Sequence, residues 1–473
     1  MQGMLFGLVG RKGAVYCLAM NTESPSSFRS FRFVCAPDEL APAMELLQLQ
    51  GYSFVPEPFH PLVFRLVAEP RPLGTSLAAR FGLIYIQDRS SMLPPLVLAP
   101  PAGARVLDIC ASPGSKTGFL AQFVGDTGFV LGNEPSRSRL ATLRRNLQTM
   151  NLLQCATASY PGEDLPSHAP PNPQGNAGWP FILLDPPCSG WGTVEKNPDV
   201  MQLWQGEKVL PLIALQRKLL RRAAALLAPG GALVYSTCTT NVAENEEQVR
   251  FALDELGLEP VPIAQPPGFS FAEPLPGFAG CLRVNLPGSR AALAEGTPEN
   301  EDGGGQGFFV ALFSKKGQAT ETLPQPCPYP QVPLSALAAS PFVDTSRLPP
   351  GDVVAINGNV RFLPSLWRES IPEGFQWKGF SLGKVQGEKQ GHGFPCSQVR
   401  VLPGLRRLMP SVEKARREGL PLLHVDDTAS ISQLLGGQSV TIDGNGKEAG
   451  LYFRGLPLCR LILKGKRAIL PQM

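Results

Sequence analysis

The sequence is poor in histidine, with four in 473 residues, and none of its ten cysteines forms a CxxC pair. Zinc sites draw on clustered thiolates and imidazoles, so no metal site is expected. A disulfide framework is not expected either. A chain this long buries enough apolar surface without covalent staples, so its thiols read as reduced and its setting as cytoplasmic. No apolar stretch approaches the roughly 18 residues of a membrane span. The opening MQGMLFGLVGRKG has no basic residue ahead of its short apolar run and no clear cleavage site, which argues against a signal peptide. Charged residues are sparse at 17%, and the net charge of +4 is too small to prove a nucleic-acid partner. Disorder is excluded as the main state by a hydrophobic content of 43%. Glycine and proline, by contrast, are abundant, 49 of each, and predict long, turn-rich connections.

The length suggests about three domains. Residues 1–88 alternate short apolar runs (31–34 and 63–67) with one helical pattern at 37–49, as in a small α/β module. Between 89 and 316 the pattern is strand, glycine-containing turn and helix, repeated. Buried strands are predicted at 104–109, 129–133, 181–184 and 232–235, with helices at 136–150 and 212–227. Such alternation means parallel strands joined by right-handed crossovers, a Rossmann-like, doubly wound, mostly parallel α/β sheet. A stretch rich in Gly, Glu, Asp and Pro at 286–306 reads as a surface insertion before a strand at 307–313. A Pro-rich linker at 317–340 then leads to residues 341–473. Their short apolar strands (353–356, 399–402 and 461–463) predict a compact β-rich domain.

The most informative segment is Val106-Leu-Asp-Ile-Cys-Ala-Ser-Pro-Gly-Ser-Lys-Thr117. A buried strand runs into a turn with Pro113 and Gly114 and then into an apolar helix. In a doubly wound sheet the ligand lies beyond the carboxyl ends of the strands. Gly114 would let the backbone approach that ligand, and Glu134, at the end of the next strand, is placed to accept hydrogen bonds from ribose hydroxyls. The turn is neither GxGxxG nor GxxxxGK[ST], so the expected ligand is a nucleoside without a pyrophosphate, such as S-adenosylmethionine. The competing reading is a turn that only links strand to helix.

Two further strand ends carry a cysteine, in Leu184-Asp-Pro-Pro-Cys-Ser-Gly190 and Tyr235-Ser-Thr-Cys-Thr-Thr240. A single such cysteine is usually a small buried hydrophobe. Two at neighbouring strand ends beside a nucleoside turn point instead to chemistry. Cys238 precedes a helix predicted at 242–256, whose N-terminus would favour a thiolate. Asp185 either hydrogen-bonds a base edge or starts an ordinary turn. A thiol, a carboxylate and a methyl donor suit methylation of cytosine at carbon-5. That carbon is a weak nucleophile until a thiolate adds at carbon-6, which splits one hard step into two easier ones. Asp185 can stabilise protonation at ring N3, and a base must then remove the carbon-5 proton.

These motifs, with Tyr85-Ile-Gln-Asp-Arg-Ser-Ser-Met92, Lys196-Asn-Pro-Asp199, Glu244-Asn-Glu246 and Gly307-Phe-Phe-Val310, resemble the RNA 5-methylcytosine methyltransferases of the Nop/Sun (RsmB/Nop) family. Within it the bacterial enzymes acting on ribosomal RNA are most similar. The resemblance covers residues 85–315 and implies that Cys238 is the nucleophile and that Cys188 assists product release. It implies contacts to S-adenosylmethionine from Cys110, Ala111, Ser112, Pro113, Gly114, Ser115 and Lys116, and from Glu134 and Asp185, with Lys196 near the substrate. The implied partner is RNA, ribosomal or alternatively transfer RNA, met by a monomer without membrane or metal. Two departures stand out. The family's Asp-Gly pair after the third strand is replaced by Ser159-Tyr-Pro-Gly162, with Glu163 or Asp164 as substitutes for the adenine-contacting acid. Its N-terminal Arg-x-Asn signature is replaced by Arg32-Phe-Val-Cys35.

Two other classes stay open. A DNA cytosine methyltransferase would use Cys188 as nucleophile and leave Cys238 without a role. A scaffold would keep the fold and bind RNA without catalysis. Beyond residue 341 the sequence resembles a PUA-like RNA-binding domain. Its end carries Lys447, Arg454, Arg460, Lys464, Lys466 and Arg467 against Glu448, interleaved with Leu451, Tyr452 and Phe453. This pattern is expected to grip phosphates and stack on exposed bases, against the plainer reading of a solvated basic surface.

Overall fold

The computed structural model describes residues 29–167, 178–194, 197–285, 307–318, 326–386 and 398–471. Lys196 and the expected insertion at 286–306 lie outside the described residues.

The first module is a four-stranded antiparallel sheet of β1 (Ser30–Phe33), β2 (Ser53–Pro56), β3 (Val63–Ala68) and β4 (Ile84–Ile86), in the order β2-β3-β1-β4, with the helix Leu40–Gln48. The central sheet follows. It contains β5 (Arg105–Asp108), β6 (Phe129–Asn133), β7 (Cys155–Ala158), β8 (Trp179–Leu184), β9 (Leu227–Thr237), β10 (Leu258–Pro260), β11 (Phe271–Ala272), β12 (Leu282–Val284) and β13 (Phe308–Lys315). The order β7-β6-β5-β8-β9 is parallel throughout, and β13 then pairs antiparallel with β9. The sequence explains this arrangement. Strands covered by helices on both faces must be apolar throughout, and Phe129–Asn133 is buried at every position. The strand order reverses between β5 and β8, so the ligand crevice belongs above those two strands.

The remaining strands are β14 (Gly351–Ile356), β15 (Asn359–Pro364), β16 (Trp377–Lys378), β17 (Phe380–Gln386), β18 (Gln398–Val401), β19 (Leu422–Val425), β20 (Val440–Thr441), β21 (Glu448–Phe453), β22 (Leu456–Lys464) and β23 (Arg467–Ile469). They form a four-stranded sheet, β14-β15-β17-β18, and a five-stranded one, β19-β21-β22-β23-β20. The C-terminal region is β-rich, as expected, but it does not stand apart. β16 pairs antiparallel with β7 and becomes the edge of the central sheet. Trp377 packs there against Trp367 and Phe129, at ring-centroid distances of 5.4 and 6.4 Å. Phe31, Phe33 and Leu46 of the first module share a core with Leu451, Phe453 and Leu461.

Two local expectations are corrected. The helix expected from 242 is a 3-10 turn, Val242–Glu244, and then an α-helix, Glu246–Glu255, broken at Asn245, whose φ is −117° and ψ −93°. The helix therefore begins well beyond Cys238, and its N-terminus cannot favour a thiolate there, because the dipole's effect falls off within a turn. Leu451, Tyr452 and Phe453, expected to stack on bases, are fully buried on β21. Arg460 is buried against Glu448 at 3.0 Å, and Arg454 pairs with Glu45 of the first module at 2.5 Å. The three apolar side chains are part of the packed interior and are not free to stack on RNA bases.

Candidate active site

The turn after β5 is set by its glycine. Gly114 caps the helix Ser115–Val124 with φ +103°, where a side chain would be strained, and a Cβ would lie 3.0 Å from Leu143 Cδ1. The helix that follows β6 holds the turn. Ser112 Oγ donates to Arg139 O at 3.0 Å, Arg139 Nη2 to Ser112 O at 3.1 Å, and Asn146 Nδ2 to Pro113 O at 2.8 Å. Cys110 is shielded, and burial pushes its thiol well above the ordinary range. Asp108, at the end of β5, accepts from Thr117 Oγ1 at 2.7 Å, while its Oδ1 has no partner among the described residues. Burial raises its carboxyl to about 7.

Glu134, just past β6, is buried and accepts from Ser136 N at 2.9 Å, with Arg139 Nε 3.4 Å away. A carboxylate has about four acceptor sites, so two remain for a diol. Asn133 knits the neighbouring loops, donating to Ile109 O at 3.1 Å and Tyr160 O at 3.0 Å. In the Ser159–Gly162 stretch, Gly162 is wedged so tightly that a Cβ would meet Leu219 Cδ2 at 2.5 Å. Glu163 is half-buried and Asp164 exposed.

Asp185, Cys188 and Cys238 come together as expected. Asp185 leaves the end of β8. Its Oδ2 accepts from Lys116 Nζ at 2.6 Å and its Oδ1 from Ser236 Oγ at 2.7 Å. Burial alone would push Lys116 down, but Asp185 outweighs it and holds the ammonium above its ordinary value. The two sulfurs are 3.3 Å apart and unbridged. The hydrogen bond between them first, with burial, holds the Cys188 thiol well above its usual value, whereas Cys238 is lowered first by the same bond. Lys116 also favours the Cys238 thiolate, against opposing burial and Asp185. Cys238 is therefore the sulfur poised to ionise, and its partner thiol does what the helix N-terminus was expected to do.

One residue that holds the site together was not given a role from the sequence. Glu244 is completely buried beneath both cysteine loops. Its carboxylate accepts from Ser189 N at 2.9 Å, Ser189 Oγ at 2.5 Å, Gln216 Nε2 at 2.9 Å and Asn241 Nδ2 at 3.1 Å. Ser189 Oγ also lies 2.7 Å from Thr239 Oγ1, so the neighbours of Cys188 and Cys238 are joined directly. The only sequence signal was the Glu244-Asn-Glu246 motif itself, which does not show where the carboxylate points.

The parallel β7-β6-β5-β8-β9 core with antiparallel β13, its switch point occupied by a glycine turn, is a Rossmann-like methyltransferase fold. It matches the crystal structure of NSun6 from Pyrococcus horikoshii with SFG at a TM-score of 0.51. The identity there is 19%, over 62% of this chain and 92% of that one. The family is more specific: residues 95–313 match the model of the family described as 16S rRNA methyltransferase RsmB/F. Ribosomal RNA small subunit methyltransferase F of Cronobacter sakazakii (strain ATCC BAA-894) is 34% identical over 63% of this chain. The protein of the same name from Shewanella sp. (strain ANA-3) is 28% identical over 87% of this chain. The aligned region spans 59% of the first relative and 83% of the second. The resemblance read from the motifs is borne out.

No helix among the described residues is long and apolar enough to cross a membrane, and no group of three or more metal-binding side chains occurs among them.

Proposed function

We propose that this protein transfers a methyl group from S-adenosylmethionine to carbon-5 of a cytosine in RNA, and that the RNA is ribosomal. The observation that carries the reading is the pair of sulfurs 3.3 Å apart at the ends of β8 and β9, beside Lys116 and Asp185. The relatives' names favour ribosomal RNA of the small subunit over transfer RNA. The protein acts as a monomer in the cytoplasm.

The turn Cys110–Lys116, Glu134 and Asp185 would hold the cofactor, which supplies an electrophilic methyl group on a sulfonium. The Cys238 thiolate adds to carbon-6 of the cytosine, forming an S–C bond and making carbon-5 nucleophilic. Asp185 stabilises the proton gained at ring N3. After methylation a base takes the carbon-5 proton, the S–C bond breaks, and the thiolate returns to Cys238. Cys188 assists that release. Lys196 lies near the substrate in this reading.

The test is a pair of variants. Cys238→Ala should abolish tritium transfer to RNA and leave S-adenosylmethionine binding by calorimetry nearly intact. Cys188→Ala should accumulate a denaturant-resistant protein–RNA adduct. An adduct in Cys238→Ala instead would reverse the roles and favour the DNA-type mechanism. A protein that binds RNA but transfers nothing would be the scaffold. For the cofactor, Glu134→Ala should weaken binding by about 1–3 kcal/mol, because the ribose hydroxyls lose a buried charged acceptor.

A further inference from the structure

With Arg454 and Arg460 engaged in ion pairs, a cluster of cations without an ion pair among the described residues lies elsewhere, at the seam between the central sheet and β14-β15-β17-β18. Lys378 on β16 sits directly opposite Thr157 on β7, so the two side chains share a face. Arg144, from the helix Arg137–Thr149, donates to Thr157 Oγ1 at 2.9 Å on that face. One turn further along that helix, Gln148 Nε2 donates to Ser381 O at 3.1 Å. Ser381 is the register partner of Arg361 on β15, and Arg361 Nη1 donates to Gly379 O, next to Lys378, at 3.0 Å. The face of β15 that carries Arg361 also carries Asn359, which pairs with Lys384, and Lys384 pairs with Arg400 on β18.

Like charges directly opposite across two strands destabilise a sheet. Yet Lys384 and Arg400 are exposed opposite each other, and Arg144, Lys378 and Arg361 converge beside them. Among the described residues none of the five is in an ion pair. The acid on the same face, Asp352, is taken by Arg368 at 2.8 Å. The crowding is felt: Lys378 is held below its ordinary value by Arg144 first, then by burial and Arg361.

We propose that Arg144, Lys378, Arg361, Lys384 and Arg400 form a track for the phosphate backbone of the RNA substrate. The proposal rests on the RNA-methyltransferase reading above and adds where the strand is held. A row of cations that no described residue pairs with is suited to a ligand carrying regularly repeated negative charge. Thr157 is near the carboxyl end of β7, four strands from Cys238 in the same sheet, which is about 19 Å at ~4.8 Å per strand. The Arg144 end of this track therefore lies within a few nucleotides of the thiols, with Lys378 one strand further out.

The experiment uses the full chain, because residues 341–473 share cores with the rest. The exposed members Lys378, Lys384 and Arg400 are changed together to Gln, leaving Arg144 and Arg361 in place to preserve the seam. Binding to transcribed small-subunit ribosomal RNA is measured between 50 and 300 mM KCl. Each lost phosphate contact lowers the log–log salt slope by about 0.7–0.9, so the slope should fall by about 2–3, with roughly tenfold weaker binding at low salt. S-adenosylmethionine affinity should not change. A control in which Lys447, Lys464 and Lys466 become Gln should change the slope by less.

An unchanged slope in a folded triple variant overturns the proposal, as does wild-type protein that binds the RNA no better than poly-glutamate. Because binding is read apart from methyl transfer, a protein that binds through this track but methylates nothing would sink the catalytic reading and leave the track standing.

Discussion

Replacing Glu244 tests the architecture of the site most directly. Each carboxylate oxygen receives two donors: Ser189 N and Gln216 Nε2 on Oε1, Ser189 Oγ and Asn241 Nδ2 on Oε2. In Glu244→Gln the shape is kept but one oxygen becomes an NH2 group facing those donors. Ser189 can rotate its hydroxyl, but Asn241 cannot turn freely, because its Oδ1 already caps Ala243 N at 3.1 Å. At least one buried donor is therefore orphaned, at a cost of about 1–3 kcal/mol. Glu244→Ala leaves Ser189 N and Asn241 Nδ2 without their acceptor, while Ser189 Oγ keeps Thr239 Oγ1 and Gln216 Nε2 keeps Pro187 O, and it adds a cavity, for about 3–5 kcal/mol. The chemistry should suffer more than the stability. The Cys188 and Cys238 loops meet through Ser189 and Thr239, and a displacement of about 1 Å at reacting groups can cost ~100-fold in rate. Urea unfolding followed by tryptophan fluorescence reads the first effect and single-turnover methyl transfer the second, with S-adenosylmethionine affinity as the control. A Glu244→Gln protein with wild-type midpoint and rate would refute the idea that this carboxylate sets the register of the two loops.

Three further outcomes are expected. Burial raises Asp108 from an ordinary 3.8 to about 7, so between those values the folded chain keeps a proton that the unfolded chain has released. Its contribution to stability is greatest below about pH 4 and is lost as pH rises to about 7, by about 4 kcal/mol at ~1.36 per unit. Asp108→Asn should flatten that slope in a pH series of unfolding midpoints, and a variant keeping the wild-type slope would contradict the assignment. Gly192→Ala places a Cβ against Gly307 O and 2.8 Å from Cys238 O, both backbone atoms, and should destabilise by about 1–3 kcal/mol while slowing methyl transfer. Arg460→Ala leaves Glu448 without its cation and Val401 O without a donor; it should cost about 3 kcal/mol in stability yet leave the salt slope of RNA binding unchanged. A lowered slope there would return Arg460 to the RNA-binding surface.

Local pattern was enough for everything that depends on short-range periodicity and turn chemistry. Buried parallel strands are runs of apolar residues, so β5, β6, β8 and β9 could be read directly, and their order along the chain implied a doubly wound sheet. Gly114 marked its turn because few other residues tolerate that backbone, and the two cysteines stood out because each lies in the turn that follows such a strand. What the sequence could not show is where side chains meet across long separations. Leu451, Tyr452 and Phe453 stand among basic residues as in an RNA-binding tail, yet Leu451 and Phe453 pack with Phe31 and Phe33 of the first module, and Tyr452 packs with Met409 and Val412. Trp377 and Lys378 lie far along the chain from β7, and only docking of the C-terminal region turns them into the edge of the central sheet. The break at Asn245, which moves the helix away from Cys238 and turns Glu244 in beneath both loops, leaves no periodic trace. Secondary structure and the position of the crevice follow from local preference. The ionisation of the thiols, the buried carboxylate beneath them and the uncompensated cations at the seam depend on distances that only tertiary packing sets.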